Sequence, residues 1–283
     1  EWASALNRSN ITGTRLFGSK TLGEIELERK ATGTLSIKGN FMAGSLTYDG
    51  PIIMQGSITS PSWTQEYKTN IHLTKGDFKF IDPLENKYKI DNGAQIIVDN
   101  GNAVVGNIYG RKFRVEDKEG RVGVFKIQEH RTSVSALNGK IVAENIVDTV
   151  SLDADSIIVL NVEEDAILSA REILFYGSKL TYDCVIKLKQ NGSIRFFETF
   201  SIQGLSGDAI IELENGKKIR LFDLKTKKIK DLADEFVPHK ENYNKDATMV
   251  GNGFTITYDM LNNLSKKPTK KSNWKSKFKF SKD

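Results

Sequence analysis

Apolar and polar residues alternate with a period of two along much of this chain. Glu24-Ile25-Glu26-Leu27-Glu28 and Asp77-Phe78-Lys79-Phe80-Ile81 place apolar side chains on one side of a strand and polar ones on the other. Ser156-Ile157-Ile158-Val159-Leu160 is apolar almost throughout, which predicts a central strand. Six Asn-Gly steps punctuate the runs, at 92–93, 100–101, 138–139, 191–192, 215–216 and 252–253, and Asp49-Gly50 adds another. Asn and Gly accept the positive φ that two-residue hairpins require. Gln95 to Val98 and Ala103 to Val105 flank Asn100-Gly101, and Ala209 to Leu213 and Lys218 to Leu221 flank Asn215-Gly216. Both pairs read as hairpins. The chain is therefore expected to be all-β, with an antiparallel, hairpin-rich body. Sandwich, barrel and solenoid all fit such a sequence. Gly39, Gly44, Gly50 and Gly56 recur between short strands, as tight bends, bulges or solenoid-like corners would require.

One short peripheral helix is predicted at 226–236. Ile229, Leu232, Ala233 and Phe236 share a face, Thr226 is a candidate cap, and Pro238 follows the end. A second short helix is expected around Asp259 to Leu264.

An imperfect repeat joins two stretches. Ile96-Ile97-Val98, Asn100, Ala103-Val104-Val105, Ile108, Tyr109-Gly110 and Lys112 resemble Ile157-Ile158-Val159, Asn161, Ala166-Ile167-Leu168, Ile173, Tyr176-Gly177 and Lys179. Read as a duplication, it gives two related β lobes; the alternative is chance likeness between β runs. The expected organisation is an N-terminal arm (1–20), a first β lobe (21–130), a second β lobe (139–225), a helix and C-terminal strand (226–260) and a tail (261–283). The division between lobes is placed in the polar stretch from Glu129 to Asn138.

Charge alters this picture at one end. The net charge is +5, but residues 261–283 hold eight Lys and one Asp, so the body is close to neutral. The tail interleaves cations with aromatics. Lys266, Lys267, Lys270, Lys271, Lys275, Lys277 and Lys279 would attract phosphates, and Trp274, Phe278 and Phe280 would stack on bases or sit at a lipid headgroup layer. These ten residues are the candidate anionic-partner site, facing nucleic acid or an anionic membrane surface. A protein partner that accepts an added strand, or a solvated terminus, fits the same residues.

Candidate chemistry is sparse. Cys184, the one cysteine, alternates with Tyr182, Ile186 and Leu188 and reads as a small core residue. His72, His130 and His239 lack metal-type spacing. Asp153 and Asp155, and Glu163-Glu164-Asp165, offer a fragment of a calcium loop and read better as solvated turns. No catalytic residues, metal ligands, cofactor or small-molecule substrate are expected. No apolar run has bilayer-spanning length, and Glu1 to Leu6 lacks the pattern of a secretory leader. The compartment stays open, cytoplasmic or peripheral to a membrane.

Two segments carry a family resemblance. Val150-Ser151-Leu152-Asp153-Ala154-Asp155-Ser156-Ile157-Ile158-Val159 leads to Ala166 to Ala170, and Gly192 to Phe200 leads to Gly204 to Leu213. This pattern resembles the β proteins of the altered-inheritance-of-mitochondria type. The resemblance implies a duplicated β body, self-association, a scaffold role sometimes linked to membranes, and no catalytic residues. The functional expectation is a non-enzymatic β scaffold or assembly protein, a homo-oligomer whose basic tail engages an anionic partner. A structural component of a viral particle or similar extended assembly is the next reading, and a carbohydrate-active or other hydrolytic β enzyme the third.

Overall fold

A computed structural model describes residues 11–16, 25–42, 44–60, 68–81, 87–116, 125–177, 179–180, 183–197, 200–203, 209–220, 247–250 and 254–264. These residues are mostly strand, as the alternation predicts, but the body is parallel where antiparallel hairpins were expected. Each turn of the chain lays one short strand on each of three ladders, and the next turn stacks on it in register. The architecture is a parallel β-solenoid of eight turns among the described residues.

The first face is built from Leu35–Lys38, Ile52–Gln55, Phe78–Phe80, Ala103–Val104 and then residues 140–142, 156–159, 172–175 and 193–196. The second face runs from Phe41–Met42 through Ile58–Thr59, Lys89–Asp91, Asn107–Tyr109, Asn145–Val147, Asn161–Glu163 and Lys179–Leu180 to Phe200–Gln203. The third face runs from Gly44–Asp49 through Asn70–Lys75, Gln95–Val98 and residues 132–136, 150–154, 167–170 and 185–188 to Ile210–Leu213. In the later turns one long strand, such as Thr132–Val142, bends from the third face onto the first.

Alternation decides which side chains enter the interior. Leu35, Ile52, Phe78, Ala103, Ile141, Ile157, Ile173 and Ile194 stack in one buried column on the first face. Leu46, Ile71, Ile96, Val134, Leu152, Leu168, Ile186 and Ile211 do the same on the third. Fully burying an aliphatic side chain of this size contributes about 1.5–3 kcal/mol, so these columns supply the main drive for stacking. Cys184 lies in this interior, buried beside Ile186 and Leu188.

The Asn-Gly steps explain the reversal from the hairpin expectation. Asn100-Gly101 and Asn138-Gly139 are successive corners between the third and first faces, not hairpin turns. Gln95–Val98 pairs in parallel with the turns on either side, and Ala103–Val104 does so on the next face. Glycine is required there because the corners touch. A Cβ on Gly139 would fall on the carbonyl oxygen of Gly101, and one on Gly101 on that of Gly76. The corner made by Gly39 stacks in the same way on Gly56. Asn215-Gly216 does close a hairpin, between Ile210–Leu213 and Lys218–Arg220, with Gly216 at φ +88°. Asn252-Gly253 and the helix expected at 226–236 lie outside the described residues.

Polar side chains also stack along the corners. Asn145 Nδ2 donates to Asn107 Oδ1 at 3.0 Å, and Asn161 Nδ2 donates to Asn145 Oδ1 at 3.0 Å. Asn145 and Asn161 are 16 residues apart, the length of a plain turn. Asn107 and Asn145 are 38 apart because a hairpin, Arg111–Glu116 with Phe125–His130, leaves the solenoid between them. The polar stretch from Glu129 to Asn138 runs out of this hairpin into the Thr132–Val142 strand, which pairs with turns on both sides.

Both ends finish in reversed strands. Ile11–Leu16 and Glu26–Arg29 run antiparallel to the first turn, and Lys218–Arg220, Ala247–Val250 and Phe254–Thr257 run antiparallel to the last. A helix at Tyr258–Asn262 follows, close to the second helix expected from the sequence, with Thr257 capping Met260 N–H. Tyr258 and Leu261 are buried, and Lys217 Nζ donates to the carbonyls of Leu261, Asn262 and Leu264. Residues 261–264 therefore close the solenoid end.

The stacked corner is testable. Gly139→Ala is expected to cost about 1–3 kcal/mol in urea denaturation, the penalty of forcing atoms into a packed site. Lys38→Ala, at an exposed strand position, should stay within about 0.5 kcal/mol. Equal stabilities for the two variants would contradict the stacked-corner packing.

Candidate interaction surface

The outside of the first face breaks the inside-apolar, outside-polar rule. The outward column reads Ser36, Ile53, Lys79, Val104, Val142, Ile158, Leu174, Arg195 and Thr255 in successive register. Val104, Val142, Ile158 and Leu174 are consecutive and only half-buried. With strands about 4.8 Å apart, this apolar stripe is about 14 Å long.

Two columns flank it. On one side stand Lys140, Ser156, Glu172 and Ser193, where Ser156 Oγ donates to Glu172 Oε1 at 3.1 Å. On the other, where the face bends toward the Asn107–Asn145–Asn161 ladder, the chain places Gly106, Glu144, Leu160, Tyr176 and Phe197. Leu160 N–H donates to the Glu144 carbonyl, and Glu144 N–H to that of Gly106. Tyr176 and Phe197 stack at 4.1 Å with an interplanar angle of 5°, and the Arg195 guanidinium lies 4.5 Å over the Phe197 ring. Tyr176 is 42% exposed. Outward apolar and aromatic residues gathered in one patch on a sheet face mark an interaction site more often than a solvated one.

Glu144 sits at the edge of this patch with an unusual environment. It is 6% exposed, its Oε2 has no hydrogen-bond partner, and burial pushes its carboxyl above the ordinary carboxylate range.

The acidic clusters noted in the sequence lie elsewhere and are held by cations. Asp153 points outward from the third face, and Asp155 stands at the corner that follows it. Arg171 binds Asp155 through two nitrogens at 3.1 and 3.2 Å, and this hydrogen bonding draws the Asp155 carboxyl below its usual range. Lys189 Nζ lies 3.6 Å from Asp153. Glu164 and Asp165 form a corner in the left-handed region, with Asp165 paired to Lys112 of the projecting hairpin. His72 is 2.8 Å from Asp99, and His130 packs edge-on to Phe113. His239 is outside the described residues. Among the described residues, no group of three or more His, Cys, Asp or Glu converges as a metal site would require, and no helix is long and apolar enough to cross a membrane.

The tail residues named from the sequence, Lys266, Lys267, Lys270, Lys271, Trp274, Lys275, Lys277, Phe278, Lys279 and Phe280, all lie outside the described residues. The apolar stripe was not identified from the sequence, although a signal was present. In Ser156-Ile157-Ile158-Val159-Leu160, a central strand with one solvated face would not place Ile158 and Leu160 outward.

Compared with known proteins, the chain matches no family model, no curated protein and no solved structure.

The raised Glu144 pKa has a defined consequence for stability. The folded chain holds this proton more tightly than the unfolded chain, so the charged form costs stability at pH values above the raised pKa. That cost fades as pH falls through the raised value toward the ordinary carboxylate range. Glu144→Gln is therefore expected to raise Tm near about pH 8 and to lose that advantage near about pH 4. Thermal denaturation at the two pH values checks this, and an advantage independent of pH would contradict it.

Proposed function

We propose that this chain is a non-enzymatic β scaffold that associates with copies of itself through the side of its solenoid and engages an anionic partner through its basic tail. The single observation that carries the first part is the outward stripe Val104–Val142–Ile158–Leu174 with its Tyr176–Phe197 stack. A solenoid exposes flat, rigid faces whose outward residues are free of core packing, so selection for solubility alone would favour polar residues there. At the ends, two of the reversed strands carry Glu26, Glu28 and Arg29 or Lys218 and Arg220, and charged edge strands discourage strand addition there. The likeness of residues 150–213 to altered-inheritance-of-mitochondria-type proteins points the same way, since it implies self-association.

The second part rests on the sequence. Eight lysines between residues 261 and 283, interleaved with Trp274, Phe278 and Phe280, supply salt-sensitive attraction to phosphate-bearing partners.

Light scattering on the full chain and on a variant lacking residues 265–283 tests both parts. The cut falls after Leu264 because residues 261–264 close the solenoid end. Both proteins are expected to form the same defined oligomer. Only the full chain should bind anionic lipid vesicles or single-stranded RNA, and raising the salt should weaken that binding. A strict monomer would contradict the scaffold reading, and undiminished binding by the shortened chain would contradict the role of the tail.

A further inference from the structure

The pattern of charge and size across the first face selects one way for two copies to meet. We infer, resting on the self-association proposed above, that two copies pack first face to first face with their solenoid axes antiparallel. They are related by a two-fold axis that runs along the strand direction at the Ile158 turn. An isologous two-fold contact is the commonest way for identical chains to associate. An axis along the strands returns each outward column to itself and reverses the order of turns. Ile158 then meets Ile158 of the second copy, and Leu174 meets Val142.

The flanking columns fit the same operation. Glu172 stands one turn beyond Ser156 and Lys140 one turn before it, so each Glu172 faces Lys140 of the other copy, twice in the dimer. On the opposite flank Leu160 meets Leu160, and Tyr176 of the second copy comes over the Glu144 position. Phe197, a bulky aromatic ring, meets Gly106, the smallest group in the column. Arg195 lands on Val104 and Lys79 on Thr255, so no like charges are opposed.

Other registers and orientations fit less well. Moving the axis to midway between the Val142 and Ile158 turns would set Arg195 against Lys79, two cations in a desolvated contact. Copies packed with parallel axes would place Glu172 against Tyr176 and Ser156 against Leu160, which leaves the carboxylate without a cation. Opposed charges at an interface fix register and orientation in this way.

Charge reversal and cross-linking test the arrangement. Lys140→Glu and Glu172→Lys each create two like-charge contacts, and each should weaken dimerisation by about tenfold or more in sedimentation equilibrium. Mixing the two single variants, or combining the substitutions in one chain, should restore dimerisation to within about threefold of the original. Circular dichroism establishes that each variant is folded. As an independent check, Ile158→Cys should cross-link to itself under mild oxidation. Val142→Cys and Leu174→Cys should cross-link efficiently only when mixed, and the native Cys184 is buried and does not interfere.

An oligomer that ignores both charge reversals, or that shows no rescue and no cross-link at position 158, would overturn this arrangement while leaving the scaffold reading intact. Cross-links from Val142→Cys to itself as strong as in the mixture would replace it with the parallel packing. A full chain that stays monomeric would overturn both the arrangement and the scaffold reading.

Discussion

Everything in this fold depends on the in-register stacking of one turn on the next. Parallel hydrogen bonds tie each strand to those above and below, and the period of two sends alternate side chains inward at matched heights. The result is a set of continuous interior columns in which isoleucine stacks on isoleucine, as in Ile141–Ile157–Ile173–Ile194. Corners must stack just as closely, which is why Gly101 and Gly139 have no side chain and why asparagine recurs at 107, 145 and 161. A fault in one corner is transmitted to two neighbours, since each turn is stabilised mainly by the turns next to it. An insertion is tolerated where it leaves the stack, as the hairpin after Tyr109 does.

Much of the fold was legible in the sequence. The two-residue alternation identified strands, glycine spacing allowed solenoid-like corners, and the alternation around Cys184 placed it in the core. The direction of pairing was not legible. An Asn-Gly step shows that the chain turns, not whether the next strand lies beside the last one or a full turn away. Asn215-Gly216 and Asn138-Gly139 look alike in sequence, yet one closes a hairpin and the other a corner. The likeness between residues 96–112 and 157–179 does not follow the stacking, since Ile96 lies on the third face and Ile157 on the first. The repeating unit is the turn itself, and its length varies, from 16 residues between Ile141 and Ile157 to 38 between Ala103 and Ile141, which hides the period in the sequence.

The interaction surface was harder to see, for a related reason. Apolar residues on both sides of a strand normally mean burial on both sides. In a solenoid one side is always outside, so Ile158 and Leu174 are only half-buried in an isolated chain although their sequence context reads as core. Together with the stacked Tyr176 and Phe197, they form the outward patch through which self-association is proposed.

The central claim is that copies meet along the side of the solenoid, in opposite directions, rather than end to end. Pulsed dipolar distance measurement between single spin labels tests it directly. A label at position 158, on the two-fold axis, should sense its copy at short range. A label at position 38 lies on the same face five turns away, so its copy should be on the order of 50 Å distant. A short distance at position 38, or no coupling at position 158, would contradict the account.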